Sequence, residues 1–338
     1  KYNRSKMPKP HIIGLGHYVP DNIVSNDDLS KIMDTSDQWI TDRTGIKERR
    51  FVNSNEGPSD LAIPASETAI NNANINKEDI DFIIFATSTP DNYVPGSSSI
   101  FQNKMGFDTI GALDIRVQCS GFIYGISIAE QYIKSGQFKN ILVIGAEVQS
   151  TAMDLTNRGR DTAVIFADGA GAAIVSSTKK GGKILSTHLH SEGKYAKELW
   201  VESPSSNSKP TIDSDKINQG RHFLKMNGRE VFKHAVKRFP EVIIEGLKHN
   251  NFKIEDLDIL IPHQANLRIS KFIQKKLGLS DSQIFSNIHK YGNTTAASIP
   301  IAFSEALIER RISSGNIVVL ASFGSGFTWG SCIIEWKA

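Results

Sequence analysis

Lys-Glu-Asp-Ile-Asp-Phe-Ile-Ile-Phe-Ala-Thr at residues 77–87 and Ile-Glu-Asp-Leu-Asp-Ile-Leu-Ile-Pro-His-Gln at residues 254–264 follow one plan. Each has an acidic cluster, then an apolar run, then a polar turn. From Glu78 to Glu255 the offset is 177 (255 − 78). A second pair repeats the spacing. Ser135-Gly136 followed by Asn140-Ile-Leu-Val143 matches Ser314-Gly315 followed by Asn316-Ile-Val-Val319, at offsets of 179 (314 − 135) and 176 (316 − 140). Two matches at almost one offset indicate an internal duplication.

Around each repeat the grammar is the same. Amphipathic helices are expected at Leu61–Asn74 and Val231–His249, each before a short apolar strand, Phe82–Phe85 and Ile259–Ile261. These strands lack period-two alternation, so both faces are expected to be buried. Further helices at Gly125–Lys134 and Ala297–Ile312 lead into strands Ile141–Ile144 and Ile317–Leu320. Strands alternating with helices predict an α/β protein with mostly parallel, helix-covered sheets. The two pseudo-twofold halves divide at 1–180 and 181–338, with the site expected where they meet. Residues 202–222, rich in Ser, Asn, Asp, Lys and Pro, read as a surface excursion rather than a linker, and more as solvated surface than as a lid.

Composition excludes several classes. No stretch approaches the ~20 consecutive apolar residues that span a bilayer. Lys1–Pro10 is basic and polar with no apolar run behind it, so no secretory signal is expected. Two cysteines, Cys119 and Cys332, make no disulfide framework and suit a reducing cytoplasm. No Cys/His cluster has metal-ligand spacing, so no metal is expected. A net charge of +3 on 338 residues is too small to argue for nucleic acid.

Cys119 closes the segment Leu113-Asp-Ile-Arg-Val-Gln-Cys119, and the small residues Ser120 and Gly121 open a helix. A thiol at a strand-to-helix turn faces the positive end of a helix, which predicts a lowered pKa and a reactive thiolate. Cys332, inside the apolar run Gly330-Ser-Cys-Ile-Ile334, reads as a core residue. His263 follows a strand and precedes a helical pattern. The helix start is expected to keep it neutral, able to donate a ring N–H to a carbonyl oxygen. Read alone, it is an ordinary capping or core histidine. Asn293, after Gly292 and before a run of small residues, reads alone as a helix cap. Its offset from Cys119 is 174 (293 − 119), close to that of the repeat. If the halves pack about a twofold axis, both helix starts converge and Cys119, His263 and Asn293 form one site. The Gly-rich run Phe323-Gly-Ser-Gly-Phe-Thr-Trp-Gly330 permits a turn that presents an N–H to an oxyanion. Asp168-Gly-Ala-Gly171 reads as structural, since no phosphate-binding helix follows.

Together these residues resemble the β-ketoacyl-acyl carrier protein synthase III family of the thiolase superfamily, from about His11 to Trp336. The motifs are Asp37-Gln-Trp-Ile-Thr-Asp-Arg-Thr-Gly-Ile46, Cys119-Ser-Gly-Phe122, His263-Gln-Ala-Asn266, Tyr291-Gly-Asn293 and Phe323-Gly-Ser-Gly-Phe-Thr-Trp-Gly330. The resemblance implies a thiolase-like five-layered αβαβα fold, a homodimer, and a catalytic triad of Cys119, His263 and Asn293. It implies that Cys119 takes an acyl group from acyl-CoA and condenses it with malonyl-acyl carrier protein (malonyl-ACP), with loss of carbon dioxide and no cofactor. The oxyanion hole is carried over to the backbone N–H groups of Cys119 and Ser325; many relatives have Gly at Ser325.

The same resemblance places Trp39 and Arg158 on the adenine of CoA and Arg43 near its phosphates, with Gly228, Phe232 and Asn266 along the pantetheine. Lys233, Arg268, Lys275 and Lys276 are implied to meet the acidic carrier protein. Phe323 and Val94 are assigned to the acyl pocket. Val94 stands where some relatives carry Phe, in a segment expected to reach the partner subunit, and a smaller side chain there suits a longer or branched primer. Two rival readings are a relative in secondary metabolism with another acyl acceptor and a non-catalytic carrier-protein-binding subunit; the cysteine argues against the second.

Overall fold

The computed structural model describes residues 7–337; Lys1–Lys6 and Ala338 lie outside the described residues. Nine strands form one continuous sheet system: β1 (His11–Tyr18), β2 (Phe82–Ala86), β3 (Gly111–Ile115), β4 (Asn140–Glu147), β5 (Gly169–Ser176), β6 (Gly182–Ser191), β7 (Ile259–Pro262), β8 (Ile317–Gly324) and β9 (Thr328–Glu335). The spatial order is β7-β8-β9-β6-β1-β5-β4-β2-β3. The order divides between β6 and β1, which share only the pairs His11 with Lys183 and Ile12 with Gly182. On one side lie β3-β2-β4-β5-β1, on the other β7-β8-β9-β6. β2 matches β7 and β4 matches β8, each at an offset of 177 (259 − 82 and 317 − 140). Among the described residues the second sheet lacks an edge strand to match β3; a single bridge between Leu260 and Ile284 marks its place.

The sheets are mixed rather than mostly parallel. β2 runs parallel to β3 and β4, and β7 parallel to β8, but β4–β5, β5–β1, β8–β9 and β9–β6 are antiparallel. No helix separates β8 from β9: the tight turn at 325–327 reverses the chain, so the partner must run antiparallel. β4 and β8 are buried at all eight positions, which explains their unbroken apolar run.

Five layers result, helix–sheet–helix–sheet–helix. The longer helices are α1 (Asp37–Thr44), α2 (Pro58–Ala73), α3 (Ser97–Met105), α4 (Gly121–Ser135), α5 (Gly228–His249), α6 (Leu267–Leu277) and α7 (Ser298–Ile308). α2 covers the outer face of the first sheet on β1, β4 and β5, and α5 covers the second on β8, β9 and β6. α4 and α7 lie between the sheets and touch strands of both. Both are apolar almost all round, which suits a central layer. Gly145 of β4 lets the halves close up. A Cβ there would stand 2.3 Å from the Ala296 carbonyl oxygen, so only glycine allows the second half's turn to lie on this strand.

The excursion at 202–222 is the tip of a hairpin whose arms, Leu199–Val201 and Leu224–Met226, pair antiparallel. The tip carries one helical turn, Ser214–Asn218. Among the described residues no helix is long and apolar enough to cross a membrane.

Candidate active site

Cys119 sits in a short 3₁₀ turn, Gln118–Ser120, between β3 and α4. Gln118 adopts φ +44°, a left-handed conformation that costs a residue with a Cβ about 1–3 kcal/mol. The second half repeats the device. Thr295–Ala297 forms a 3₁₀ turn that opens α7, and Thr295 adopts φ +51°. Gln118 and Thr295 stand at an offset of 177 (295 − 118), as the matching strands do. By that offset the counterpart of Cys119 is Ala296, and Asn293 stands just ahead of the turn.

Gly324, the last residue of β8, backs onto Cys119. A Cβ there would lie 2.5 Å from Cys119 Cβ and 2.9 Å from Sγ. The backbone N–H groups of Ser325 and of Cys119 itself favour the thiolate. Burial nevertheless dominates, and it pushes the Cys119 thiol up to about 12, with Glu147 adding to the rise. The expected lowering at a helix start is thus reversed, because desolvating a thiolate costs more than the helix terminus returns. Glu147 ends β4 wholly buried. Its carboxylate accepts from the hydroxyls of Thr87, Ser88 and Thr89 and from the backbone N–H groups of Ser88 and Ala296. Burial still raises it to about 7.

His263 follows β7 and is held by its N–H to the Ala321 carbonyl at 2.8 Å. Burial alone lowers its pKa to about 3, so the ring is neutral. The cause differs from the one expected: α6 begins only at Leu267, capped by Asn266. His263 Nδ1 lies 2.5 Å from Ser298 Oγ, which also accepts the Gln264 N–H at 3.2 Å. When the Ser298 hydroxyl donates to Nδ1, the ring proton stands on the other nitrogen, Nε2. Nε2 is buried and has no partner among the described residues. Asn293 is fixed by backbone bonds to Ile165 and Ala167, each 2.9 Å. Its Oδ1 accepts the Thr295 N–H at 2.9 Å, which leaves Nδ2 to donate elsewhere.

Cys119, His263, Asn293, Phe323 and Gly324 share one cavity of about 500 Å³. It holds a buried thiol and two uncommitted N–H donors, a set suited to acyl transfer and enolate stabilisation.

Comparison with known proteins agrees. Residues 113–193 match the family model for 3-oxoacyl-[acyl-carrier-protein] synthase III, and residues 247–336 match the model of its C-terminal part. The chain is 44% identical over 326 residues to the β-ketoacyl-[acyl-carrier-protein] synthase III of Caldanaerobacter subterraneus subsp. tengcongensis, covering 96% of this chain and 97% of that one. The Clostridioides difficile protein of the same name is 45% identical, covering 97% and 98%. The crystal structure of the Aquifex aeolicus VF5 synthase III superposes with a TM-score of 0.88 at 42% identity, over 97% of this chain and 100% of that one.

The chain belongs to the 3-oxoacyl-[acyl-carrier-protein] synthase III family.

The synthase III residues carried over from the motifs are not all together. Trp39, Arg43, Gly228, Phe232, Asn266 and Arg268 line the first cavity with the triad. Asn266 caps α6 and donates to the Arg43 carbonyl at 3.0 Å, tying that helix to α1. Arg158 is not there. It binds Asp154 at 2.5 Å and the Asn218 carbonyl at 3.1 Å, under the excursion. Arg160 takes the place beside Trp39, its guanidinium carbon 4.9 Å from the ring, with Arg43 at 4.2 Å. Its sequence signal was adjacency to Arg158 and nothing more. Lys233 pairs with Glu230 at 3.2 Å, and Lys275 and Lys276 lie in the last turn of α6.

A second cavity of about 310 Å³ also reaches Cys119, with Ser325 in its wall. Ser325 also donates its hydroxyl to the Leu199 carbonyl, which fastens the excursion's base. Phe323 lines the first cavity, not the second. Val94 is 78% exposed and lines neither. Asp168 is structural, as expected: its carboxylate holds Ser150 and the Val52 N–H.

Proposed function

We propose that the chain primes fatty acid synthesis. Cys119 attacks the thioester of an acyl-CoA, its thiol proton passing to the departing CoA sulfur. The resulting acyl-cysteine divides one difficult step into two easier ones. Malonyl-ACP then replaces CoA in the first cavity, its thioester carbonyl facing His263 Nε2–H and Asn293 Nδ2–H. Loss of carbon dioxide leaves an enolate whose oxygen these two donors hold, an effect worth about 3–4 kcal/mol per donor. The enolate carbon attacks the acyl-cysteine. The tetrahedral oxyanion faces the amides of Cys119 and Ser325, and its collapse releases β-ketoacyl-ACP and the cysteine, reprotonated from solvent. No cofactor enters this scheme.

The observation that carries this reading is the shared cavity. A nucleophile from the first half and two unspent donors from the second meet at the base of a channel rimmed by Trp39, Arg43 and Arg160. A stacked indole and two guanidiniums suit the adenine and phosphates of CoA. Arg43 and Arg268 at the cavity, with Lys233, Lys275 and Lys276 on neighbouring helices α5 and α6, suit an acidic carrier protein. The reading includes two halves divided at 1–180 and 181–338, a cytoplasmic homodimer, and a partner subunit against the segment of Val94.

Mass spectrometry tests it. Incubation with acetyl-CoA is expected to add one acetyl group to Cys119, and malonyl-ACP is expected to remove it with release of carbon dioxide. A Cys119→Ala protein that still condenses the two substrates would overturn the reading.

A further inference from the structure

The second cavity is lined mainly by apolar side chains, Ala152, Phe166, Leu199, Trp200, Val201 and Leu224, but Ser88, Thr89, Gln118, Gln149 and Thr295 also face it. A plain hydrocarbon chain has no use for these polar groups, and hydrogen-bonding groups left unmet beside it oppose its entry.

The polar groups are ordered from beneath. Ser88 and Thr89 donate their hydroxyls to Glu147. Gln149, buried, donates Nε2 to Ser88 Oγ at 3.2 Å and to Thr295 Oγ1 at 2.9 Å. These bonds fix the amide's orientation and leave two groups uncommitted. Gln149 Oε1 has no donor among the described residues, and the Thr295 hydroxyl, having accepted from Gln149, keeps its own proton to give. One open acceptor and one open donor therefore stand in the same wall, on either side of the amide bond between them. A hydroxyl, which both donates and accepts, completes that pair. A carboxylate does not. It would meet the bare Oε1 and the Glu147 carboxyl behind Ser88 and Thr89, and Arg116 at the rim is exposed and offers no buried counter-charge.

The cavity is lined by Cys119 and Ser325 but by none of Trp39, Arg43 and Arg160, so it offers an acyl group on the sulfur a place apart from the first cavity. Resting on the function proposed above, we infer that the preferred primer is a short hydroxyacyl thioester, its hydroxyl held between Gln149 Oε1 and the Thr295 hydroxyl.

The test is the rate of Cys119 acylation, followed by mass, with 3-hydroxybutyryl-CoA, 4-hydroxybutyryl-CoA, succinyl-CoA and butyryl-CoA. One of the hydroxyacyl primers is expected to exceed butyryl-CoA by roughly tenfold or more, the scale of one buried hydrogen-bonding pair. In Gln149→Leu the ratio of hydroxyacyl to butyryl acylation rates is expected to fall to about one. Butyryl-CoA or succinyl-CoA outpacing both hydroxyacyl primers in the wild type overturns the inference, whether or not the variant folds. Acetyl-CoA serves as the reference: acetylation of Cys119 with ordinary turnover on malonyl-ACP leaves the priming function standing even when the hydroxyacyl preference fails.

Discussion

The turns Gln118–Ser120 and Thr295–Ala297 are the same piece of backbone used twice. Each opens a central helix, each begins with a left-handed residue, and each packs against the other half. Their chemistry differs. The first carries a nucleophile; the second carries an alanine in that place, and its polar contribution comes from Asn293 just before the turn and His263 at the end of β7. A duplicated scaffold thus offers two convergent helix starts, and the division of labour is written in a few side chains. In the function proposed, one half forms the covalent bond and the other holds the developing charge.

Substitutions can break this division. Cys119→Ala is expected to lower turnover by at least ~10⁴-fold, measured as β-ketoacyl-ACP formed, because the covalent route is lost. Gly324→Ala tests whether the second half also shapes the nucleophile's seat. A methyl 2.5 Å from Cys119 Cβ must displace it, and acylation is expected to fall about 100-fold with the fold retained by circular dichroism. Ser298→Ala removes the partner that sets the His263 tautomer. Condensation is expected to slow by about tenfold, with acylation of Cys119 nearly unchanged.

Two pH experiments sharpen the comparison. With its thiol pushed up to about 12, Cys119 is expected to react with iodoacetamide at a rate that climbs about tenfold per pH unit through pH 9. A plateau near pH 7 would mean that the helix start, not burial, governs the sulfur. Glu147 is buried with a pKa raised from 4.5 to about 7. Between these values the folded protein holds a proton that the unfolded chain has released, so this group's contribution to stability falls as pH rises from about 4.5 to 7. His263 acts oppositely: its lowered pKa costs stability as pH falls below 6.5. Glu147→Gln is expected to remove the first effect only, seen as a higher denaturation midpoint relative to the wild type at pH 8 than at pH 5.

Much of this was legible in the chain. The near-constant offset announced the duplication, and continuous apolar runs marked β2, β4, β7 and β8, because strands buried on both faces show no alternation. The turn at Cys119 followed from a strand signal meeting small residues. The direction of the thiol's pKa did not follow, because desolvation depends on walls from distant segments, here β4 and β8. Ser298 and Gln149 were missed for the same reason: each looks like an ordinary polar residue beside a helix or strand end, and only the packing shows that one holds His263 and the other faces a cavity. Arg160 was missed because two arginines so close together in a loop have no pattern to separate them. Mixed strand direction escaped because the glycine-rich turn between β8 and β9 carries no signal that a second strand follows it and pairs back.

The central claim is that covalent chemistry belongs to the first half and charge stabilisation to the second. His263→Ala tests it most directly, with the mass of the protein followed through both steps. After acetyl-CoA the variant should carry acetyl-Cys119 as the wild type does. After malonyl-ACP the acetyl group should persist, with condensation slowed by about 10²–10³-fold. A variant that fails to take up the acetyl group, or one that consumes it at the wild-type rate, would contradict the account.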